Sequence, residues 1–321
     1  MSRRGGSLDV GRRLPVLRVV VVGDRDSGKT TFLGLLYTAQ VKSGSDRADD
    51  FRFHATFDSL DEITGVFQGL MSGSFPDSAT KEGIHEVTFR LGYRKPGLGI
   101  LSRLRPRGWD DGAFASFRLI LVRAFEDESS RSRAGSSRAN TALRDVFESD
   151  AMVIMVDARK LAVADEDPQL APMGKYDASL ESLLTAIQRS RERGDRKQLH
   201  PIFVFSKFDR AEPEALHLGN LEGAPPGLGK KGPRAAYAQA LLDRNLPKTM
   251  AKVRARDRQG LKFARPSYFF SWVRTNPPGP GRVERVRLRR SGAVGWEPDY
   301  SRDECLAFLE CLWDIAAHTA D

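Results

Sequence analysis

The apolar residues of this chain recur in two alternating patterns. Runs of strand length are followed by stretches in which apolar positions recur every three or four residues. The first pattern predicts strands and the second predicts helices. The predicted strands are PVLRVVVVG, HEVTFRLGYR, FRLILVRAF, AMVIMVDA, HPIFVFSKFD and PSYFFSWV, and the predicted helices are TTFLGLLYTAQ, ALRDVFESD, DASLESLLTAIQRSRER and SRDECLAFLECLWDIAA. This order predicts an α/β fold, with a mostly parallel sheet covered by helices on both faces.

The chain is longer than these elements require. We expect a flexible, basic N-terminus over residues 1–13 and a single domain over residues 14–318. The predicted insertions into that domain are residues 41–75, 95–113, 211–265 and 276–298. The first of them is expected to add a strand, FRFHATF, and a helix, SLDEITGVFQGLM. Long insertions inside a compact domain are usually functional or disordered.

The composition, with 40% apolar and 29% charged residues over 321 positions, is typical of a globular protein. The start of the chain is basic and polar, and the apolar run from Leu14 to Val22 is too short to span a bilayer. The termini carry no signal for myristoyl or prenyl anchoring. Cys305 and Cys311 are expected to be reduced core residues. These features predict a cytoplasmic protein.

The net charge of +9 raises the question of an anionic partner. The positive excess is concentrated in the stretches RSRAGSSR, SRERGDRK and RVERVRLRR, which are predicted to form surface loops, a helix end and a hairpin. No aromatic residue interleaves with these arginines, as a stacking platform for bases would require. The pattern favours a solvated basic surface, with a nucleic acid or a phospholipid surface as the alternative.

A phosphate-binding motif ends the first predicted strand. In GDRDSGKT, Gly23 is followed after four residues by Gly28, Lys29 and Thr30, which is the P-loop pattern. The glycines let backbone amides approach the phosphates, and the following helix adds the positive end of its dipole. Lys29 is expected to reach the terminal phosphates and to act in catalysis, and the Thr30 hydroxyl is expected to bind Mg²⁺. Three more residues of the motif are expected to contact the nucleotide: Asp26, Ser27 and Thr31.

A second motif, SKFD, ends a later predicted strand. The carboxylate of Asp209 can accept two hydrogen bonds from N1 and the exocyclic amino group of guanine, and adenine presents no such pair of donors. The methylene stem of Lys207 can lie along the purine face. With this motif the chain resembles the Ras-like P-loop GTPases of the translation-factor class, in which an [NT]KxD motif reads guanine. Ser206 takes the first position of that motif and lacks the amide of asparagine.

The resemblance implies a P-loop NTPase three-layer sandwich that binds GTP or GDP with Mg²⁺. It also implies a serine turn that reads the guanine, which Ser271 in FFSWVRT matches, although a core strand with an incidental serine would look the same. A threonine before the second strand of the family should bind Mg²⁺ in the triphosphate state and take part in catalysis. Thr80 is the expected residue, because Thr64 and Thr56 lie inside a predicted helix and strand.

The second switch of the family is degenerate in this chain. Arg123 stands where the family has an aspartate that holds a Mg²⁺ water, and Glu126 stands where it has a glycine. An arginine cannot bind Mg²⁺. Either Asp127 takes over from a shifted loop, or fewer protein groups hold the metal. Arg123 is either a degenerate acid position or an arginine that neutralises phosphate charge directly.

Two function classes therefore stay open: a slow GTP-hydrolysing switch, and a nucleotide-bound pseudo-GTPase that acts as an interaction module. A third alternative is a P-loop ATPase of different strand order, in which Asp157 at the end of AMVIMVD would be the Mg²⁺ partner. The insertions look most like the bacterial double-GTPase group. That resemblance implies a protein partner, a second GTPase or an effector, in a signalling or defence system.

Overall fold

The computed structural model describes the chain in stretches with gaps between them. The described residues are 16–41, 51–76, 86–93, 114–122, 144, 146–161, 173–191, 198–211, 231–255, 262–276, 283–291 and 295–319. The N-terminal segment 1–13 and the predicted insertion 95–113 lie outside them.

Seven strands form one sheet in the order β2-β3-β4-β1-β5-β6-β7. The strands are β1 (Val16–Gly23), β2 (Phe51–Ala55), β3 (Glu86–Tyr93), β4 (Phe114–Leu121), β5 (Ala151–Asp157), β6 (His200–Ser206) and β7 (Ser267–Phe270). Four neighbouring pairs are parallel, from β4 through β1, β5 and β6 to β7. The pairs β2–β3 and β3–β4 are antiparallel. The predicted mostly parallel sheet is confirmed.

Helices cover both faces of this sheet. They are α1 (Lys29–Val41), α2 (Phe57–Met71), α3 (Gly174–Arg191), α4 (Lys231–Asn245), α5 (Pro247–Arg254) and α6 (Arg302–Thr319). One hydrophobic core contains side chains of α1, α2 and α6, and the other contains side chains of α3, α4 and α5. Short 3₁₀ turns, Ala158–Lys160 and Phe208–Arg210, follow β5 and β6.

Strand β1 shows why the apolar run is continuous. Val19 and Val21 belong to the core with α1, whereas Val20 and Val22 belong to the core with α3. All four valines are at most 2% exposed. Because successive side chains of a strand point to opposite faces, a strand buried on both faces needs apolar residues at every position. Burial of each valine stabilises the fold by about 1.5–3 kcal/mol.

Two predicted insertions contain regular structure: the first holds helices that the pattern did not predict, and the second holds hairpin strands where a hairpin is predicted for RVERVRLRR. The pattern predicts no helix within residues 211–265, but α4 and α5 lie there and complete the second core. Residues 276–298 contribute two small hairpin sheets, in which β8 pairs with β9 and β10 pairs with β11. Their bounds are β8 (Thr275–Asn276), β9 (Arg285–Val286), β10 (Leu288–Ser291) and β11 (Gly295–Pro298).

Further predictions, on the first insertion and on the two cysteines, can be compared with the structure. The added strand and helix of the first insertion are present as β2 and α2. The pattern predicts Thr56 inside the strand, but β2 ends at Ala55 and Thr56 is the N-cap residue of α2. Cys305 and Cys311 are free thiols, the first buried and the second half-buried. Within the described part of the chain, no helix is long and apolar enough to cross a membrane.

Candidate functional site

The predicted phosphate loop, residues 23–30, lies at the carboxyl end of the central strand β1. The chain leaves β1 through α1 towards the β2 edge, and β5 then pairs on the opposite side of β1. In sheets of this kind, ligands bind where successive connections diverge to opposite sides of a strand. The topology therefore places the loop at the position where an α/β sheet usually binds a ligand.

The conformation of the loop depends on its glycines. Gly28 has φ of +87°, in the left-handed region that favours glycine, and Asp26 has φ of +56°. At Gly23 the constraint is space: a Cβ would lie 2.8 Å from the Cβ of Met155 on β5 and would also overlap Ser27 Oγ. The loop can pass this close to β5 only because position 23 has no side chain.

Gly23→Ala is therefore expected to force the loop away from β5 and to destabilise the protein by about 1–3 kcal/mol. The matched control is Gly65→Ala in the middle of α2, where a Cβ would meet no atom within 4 Å. That control should stabilise the protein by about 0.5–1 kcal/mol, because alanine restricts the unfolded chain more than glycine. Urea unfolding of both variants measures the difference. Equal stability changes in the two variants would contradict the packing argument.

Lys29 is the first residue of α1 and folds back over the loop. Its Nζ donates hydrogen bonds to the carbonyl oxygens of Gly23, at 2.7 Å, and of Asp24, at 3.0 Å. The backbone carbonyl of Gly28 accepts the first bond of the helix, from Phe32 N at 2.8 Å. The first N–H groups of a helix have no intrahelical partner. An ammonium group and helix-terminal amides thus lie together at this end of the loop.

The other predicted loop residues are buried to different extents. Ser27 is fully buried, and its Oγ has no hydrogen-bond partner among the described residues. A buried hydroxyl without a partner is costly, so such an atom marks a position where a ligand oxygen or water would be stabilised. Thr30 is 8% exposed, and Thr31 is half-buried. Asp26 is exposed at the tip of the loop.

The SKFD motif lies directly beside this loop. Ser206 ends β6, and its Oγ donates to the backbone carbonyl of Ser27 at 2.7 Å. Lys207 has φ of +53°, which turns the chain sharply, and its Nζ donates to the backbone carbonyl of Asp26. The two motifs that the sequence separates by almost 180 residues are therefore joined by hydrogen bonds.

Asp157, at the end of β5, is buried and forms ion pairs with Lys207 and Arg159 beside the contact between the two motifs. Its Oδ2 accepts from Lys207 Nζ at 2.8 Å and from an Arg159 guanidinium nitrogen at 2.7 Å, and its Oδ1 accepts from Arg159 Nε at 3.1 Å. Burial acts to raise the pKa of Asp157, but the hydrogen bonds from Arg159 and Lys207 outweigh it and hold the pKa below its usual value. Asp157 therefore stays ionised and fixes Lys207 towards the loop.

Asp157→Asn is expected to reduce the free energy of unfolding at pH 7 by about 1–3 kcal/mol, because it leaves Lys207 and Arg159 without their counter-charge. The ionised carboxylate stabilises the fold above its unfolded pKa of about 3.8, and that contribution is lost as pH falls through the lowered folded pKa. The difference between variant and wild type should therefore be constant from pH 7 to about 5 and shrink below about 4.

Urea unfolding across this pH range measures the effect. The control is Asp243→Asn, because Asp243 pairs with Arg254 on the surface, where both side chains are close to half exposed. That variant should lose less than about 1 kcal/mol. If Asp157→Asn reduced the free energy of unfolding by no more than Asp243→Asn, the ion pairs of Asp157 with Lys207 and Arg159 would not stabilise the fold.

Asp209 lies in the 3₁₀ turn after Lys207 and is exposed. Desolvation by the surrounding turn raises the pKa of its carboxyl group. The neighbouring Arg210 forms an ion pair with Glu284 and donates to Thr275 Oγ1 at 2.7 Å. Arg210 thereby ties the turn that carries Asp209 to the hairpin of β8 and β9.

Ser271 lies under the same turn. Its N–H donates to the backbone carbonyl of Phe205 at 2.7 Å, and its carbonyl accepts from Phe208 N at 3.1 Å. The side chain is 4% exposed. Ser271 thus connects the end of β7 to the SKFD turn, and its predicted contact with a base stays a prediction.

The structure brings the loop, Ser206, Lys207, Asp209 and Ser271 to one edge of the sheet. Thr64 lies within α2, as expected. The four predicted switch residues lie outside the described residues: Thr80, Arg123, Glu126 and Asp127.

Sequence reasoning missed three supporting groups of this site. Lys160 forms an ion pair with Asp24 of the loop, Arg159 holds Asp157, and Arg210 holds Glu284. The position of Lys160 and Arg159 directly after AMVIMVD was the available signal, since the carboxyl ends of adjacent parallel strands meet at the same edge. The partner of Arg210 lies 74 positions away, and no local pattern indicates it.

No protein-family model matches the chain, and no curated protein matches it. Among the described residues, no three histidine, cysteine, aspartate or glutamate side chains gather into a group that could hold a metal ion.

Proposed function

We propose that this protein binds a guanine nucleotide, GTP or GDP, together with Mg²⁺, on a P-loop NTPase fold of the Ras-like type. The observation that carries the proposal is the pair of hydrogen bonds from Ser206 and Lys207 to the loop carbonyls of Ser27 and Asp26. A nucleotide needs its base site and its phosphate site at a fixed separation. These bonds hold the two predicted half-sites together before any ligand arrives, which reduces the ordering cost of binding.

The loop is suited to phosphate oxygens. It offers the amide groups at the start of α1 and the ammonium of Lys29, and both favour negative charge. The buried Ser27 hydroxyl supplies a further donor without a partner in the described structure. On this proposal, the carbonyls of Gly23 and Asp24 hold Lys29 in place for a phosphate.

The turn that carries Asp209 is suited to a guanine base. Asp209 is exposed and follows Lys207, whose stem extends from the turn to the carbonyl of Asp26 on the loop. Its exposed carboxylate has two oxygens that can accept hydrogen bonds from a base. A base lying against the Lys207 stem would offer its two donors to Asp209.

Mg²⁺ would be held at Thr30 and, in the triphosphate state, at Thr80. Thr30 is nearly buried in the first turn of α1, beside the loop. When bound, Mg²⁺ would neutralise charge on the phosphates. Asp157 fits a metal poorly, because Lys207 and Arg159 already occupy its two oxygens. This engagement argues against the ATPase alternative.

Whether GTP is hydrolysed depends on the second switch, and its sequence is consistent with two functions. Arg123 in place of an acid favours a nucleotide-bound interaction module, and a slow hydrolase remains the other candidate. For either, we propose a cytoplasmic protein that acts with a second GTPase or an effector.

Competition binding tests the proposal. A fluorescent GTP analogue is bound to the full chain with Mg²⁺ and then displaced by GTP, GDP, ATP or XTP. We expect GTP and GDP to displace it at much lower concentration than ATP. Equal displacement by ATP would overturn the guanine assignment. Single-turnover phosphate release from GTP on the same sample then separates the hydrolase from the interaction module.

A further inference from the structure

Arg25 lies at the tip of the predicted phosphate loop, and its side chain is exposed. The N–H of Ser27 donates to the carbonyl of Asp24 at 3.1 Å, which closes a turn with Arg25 and Asp26 as its central residues. Asp26 has φ of +56°, a left-handed conformation that aspartate tolerates in turns. The N–H of Arg25 donates to Oδ1 of Asp24 at 2.7 Å. Hydrogen bonds therefore fix the backbone around Arg25 and leave its guanidinium group exposed.

The acids on either side of Arg25 are engaged by other cations. Asp24 forms an ion pair with Lys160, which follows β5. Asp26 carries its negative charge beside the ammonium of Lys207. Within the described part of the chain, the Arg25 side chain forms no ion pair and no hydrogen bond. The positive charge of Arg25 is therefore available to an anionic ligand of the loop.

Arg25 lies close enough to Lys29 for both side chains to contact one phosphate. The Nζ of Lys29 donates to the carbonyl oxygen of Asp24 at 3.0 Å. The planar peptide bond holds that oxygen within about 3 Å of the Cα atom of Arg25. The Cα atom of Arg25 therefore lies no more than about 6 Å from the Lys29 ammonium. An extended arginine side chain covers that distance, so an anion bound between the two cations would relieve their repulsion.

The contacts of the loop indicate which end of a nucleotide Arg25 would meet. Lys207, of the predicted base site, donates to the carbonyl of Asp26. Lys29, which on the proposed function reaches the terminal phosphates, donates to the carbonyl of Asp24 on the other side of Arg25. The loop amides would enclose the inner phosphates. The terminal phosphate is therefore the group that an exposed side chain next to Lys29 would reach.

We propose that Arg25 binds the terminal phosphate of GTP and thereby gives the protein a preference for GTP over GDP. This inference rests on the proposed function. A guanidinium group stays charged and can donate two parallel hydrogen bonds to a phosphate. Because GDP lacks the terminal phosphate, it cannot make this contact. The P-loop pattern leaves position 25 variable, so the arginine adds a phosphate ligand that the motif itself does not specify.

Isothermal titration of the full chain with GDP and with GTPγS, a slowly hydrolysed GTP analogue, tests the proposal in the presence of Mg²⁺. Arg25→Gln should weaken binding of GTPγS by about tenfold to hundredfold. It should weaken binding of GDP by less than about threefold, the effect of a distant exposed charge. Arg25→Lys keeps the charge but not the planar group, and its affinity for GTPγS should lie between those of Arg25→Gln and the wild type.

The matched control is Arg90→Gln, which removes the same charge from an exposed position on β3 and should bind both nucleotides like the wild type. If Arg25→Gln weakened binding of GTPγS and GDP by the same factor, Arg25 would only support the loop. That result, or an unchanged affinity for both, would overturn this inference and leave guanine-nucleotide binding intact. If the wild type bound neither nucleotide, the proposed function would fail and this inference with it.

Discussion

Lys29→Ala is expected to abolish measurable binding of GTP and GDP. In the folded protein, the Lys29 ammonium is held between the carbonyls of Gly23 and Asp24, at the mouth of the loop that would receive the phosphates. Removing one partner of a largely desolvated charge pair costs about 3–5 kcal/mol, which corresponds to a loss of more than about a hundredfold in affinity. Isothermal titration with GTP and with GDP, both in the presence of Mg²⁺, measures the effect.

Two further variants separate loss of charge from loss of loop structure. Lys29→Met keeps most of the side-chain length and should bind as poorly as Lys29→Ala. Lys248→Ala removes an exposed lysine at the start of α5 and should bind like the wild type. Thermal unfolding should be close to wild type in all three, apart from about 1 kcal/mol for each hydrogen bond that Lys29 donates to the loop. An unchanged affinity in Lys29→Ala would mean that the loop binds no phosphate.

The elements that the sequence predicted well are those with a strong local pattern. Strands β1, β5 and β6 are apolar at nearly every position because both faces of the central sheet are buried. The loop at Gly28 could be placed because its spacing links a strand end directly to a helix start. Such features depend on neighbours in the chain, so they are visible without tertiary structure.

Helices α4 and α5 have a local signal in the sequence, but it is weaker than that of the central strands. Tyr237, Leu241 and Leu242 recur at helical spacing and face the second core, and Pro247 occupies the first turn of α5, where proline is favoured. The glycine and proline near the start of α4 made the stretch resemble a loop. The buried carboxylate of Asp177 accepts hydrogen bonds from Lys248 N and Thr249 N at 3.0 and 2.9 Å, so part of the support for α5 comes from a distant helix.

Long-range contacts within the candidate site had no local signal. The pairing of Lys207 with Asp157 and that of Arg210 with Glu284 depend on strand order and on the hairpin of β8 and β9. A single sequence gives the residue types at each strand end but not which ends become neighbours.

Asp209→Asn is expected to exchange the base preference of the protein from guanine to xanthine. The Asp209 carboxylate offers two acceptor oxygens, and guanine offers two donors, whereas xanthine carries a carbonyl in place of the amino group. An asparagine amide would donate to that carbonyl and would meet the guanine amino group with a second donor. Loss of the charge-assisted pair should weaken GTP binding by about 2–4 kcal/mol.

The pH dependence of binding should change in the same variant. Desolvation raises the pKa of Asp209, and protonation removes the acceptor that guanine requires. In the wild type, GTP affinity should therefore fall as pH decreases towards that raised pKa, and Asp209→Asn should remove this part of the pH profile. Asp61→Asn is the control, since it replaces an exposed aspartate on α2, away from the SKFD turn.

Displacement of the fluorescent GTP analogue by GTP and XTP, measured for wild type, Asp209→Asn and Asp61→Asn, decides between two roles for the turn. If Asp209 binds the base, the affinity for XTP relative to that for GTP should rise in Asp209→Asn but not in Asp61→Asn. Binding of the triphosphate through Lys29 should persist. If Asp209 only supports the turn beside Arg210, both nucleotides should lose affinity together and their ratio should stay constant. A constant ratio would remove the guanine assignment but leave the phosphate loop intact, because Lys29 and Asp209 act on opposite ends of the nucleotide.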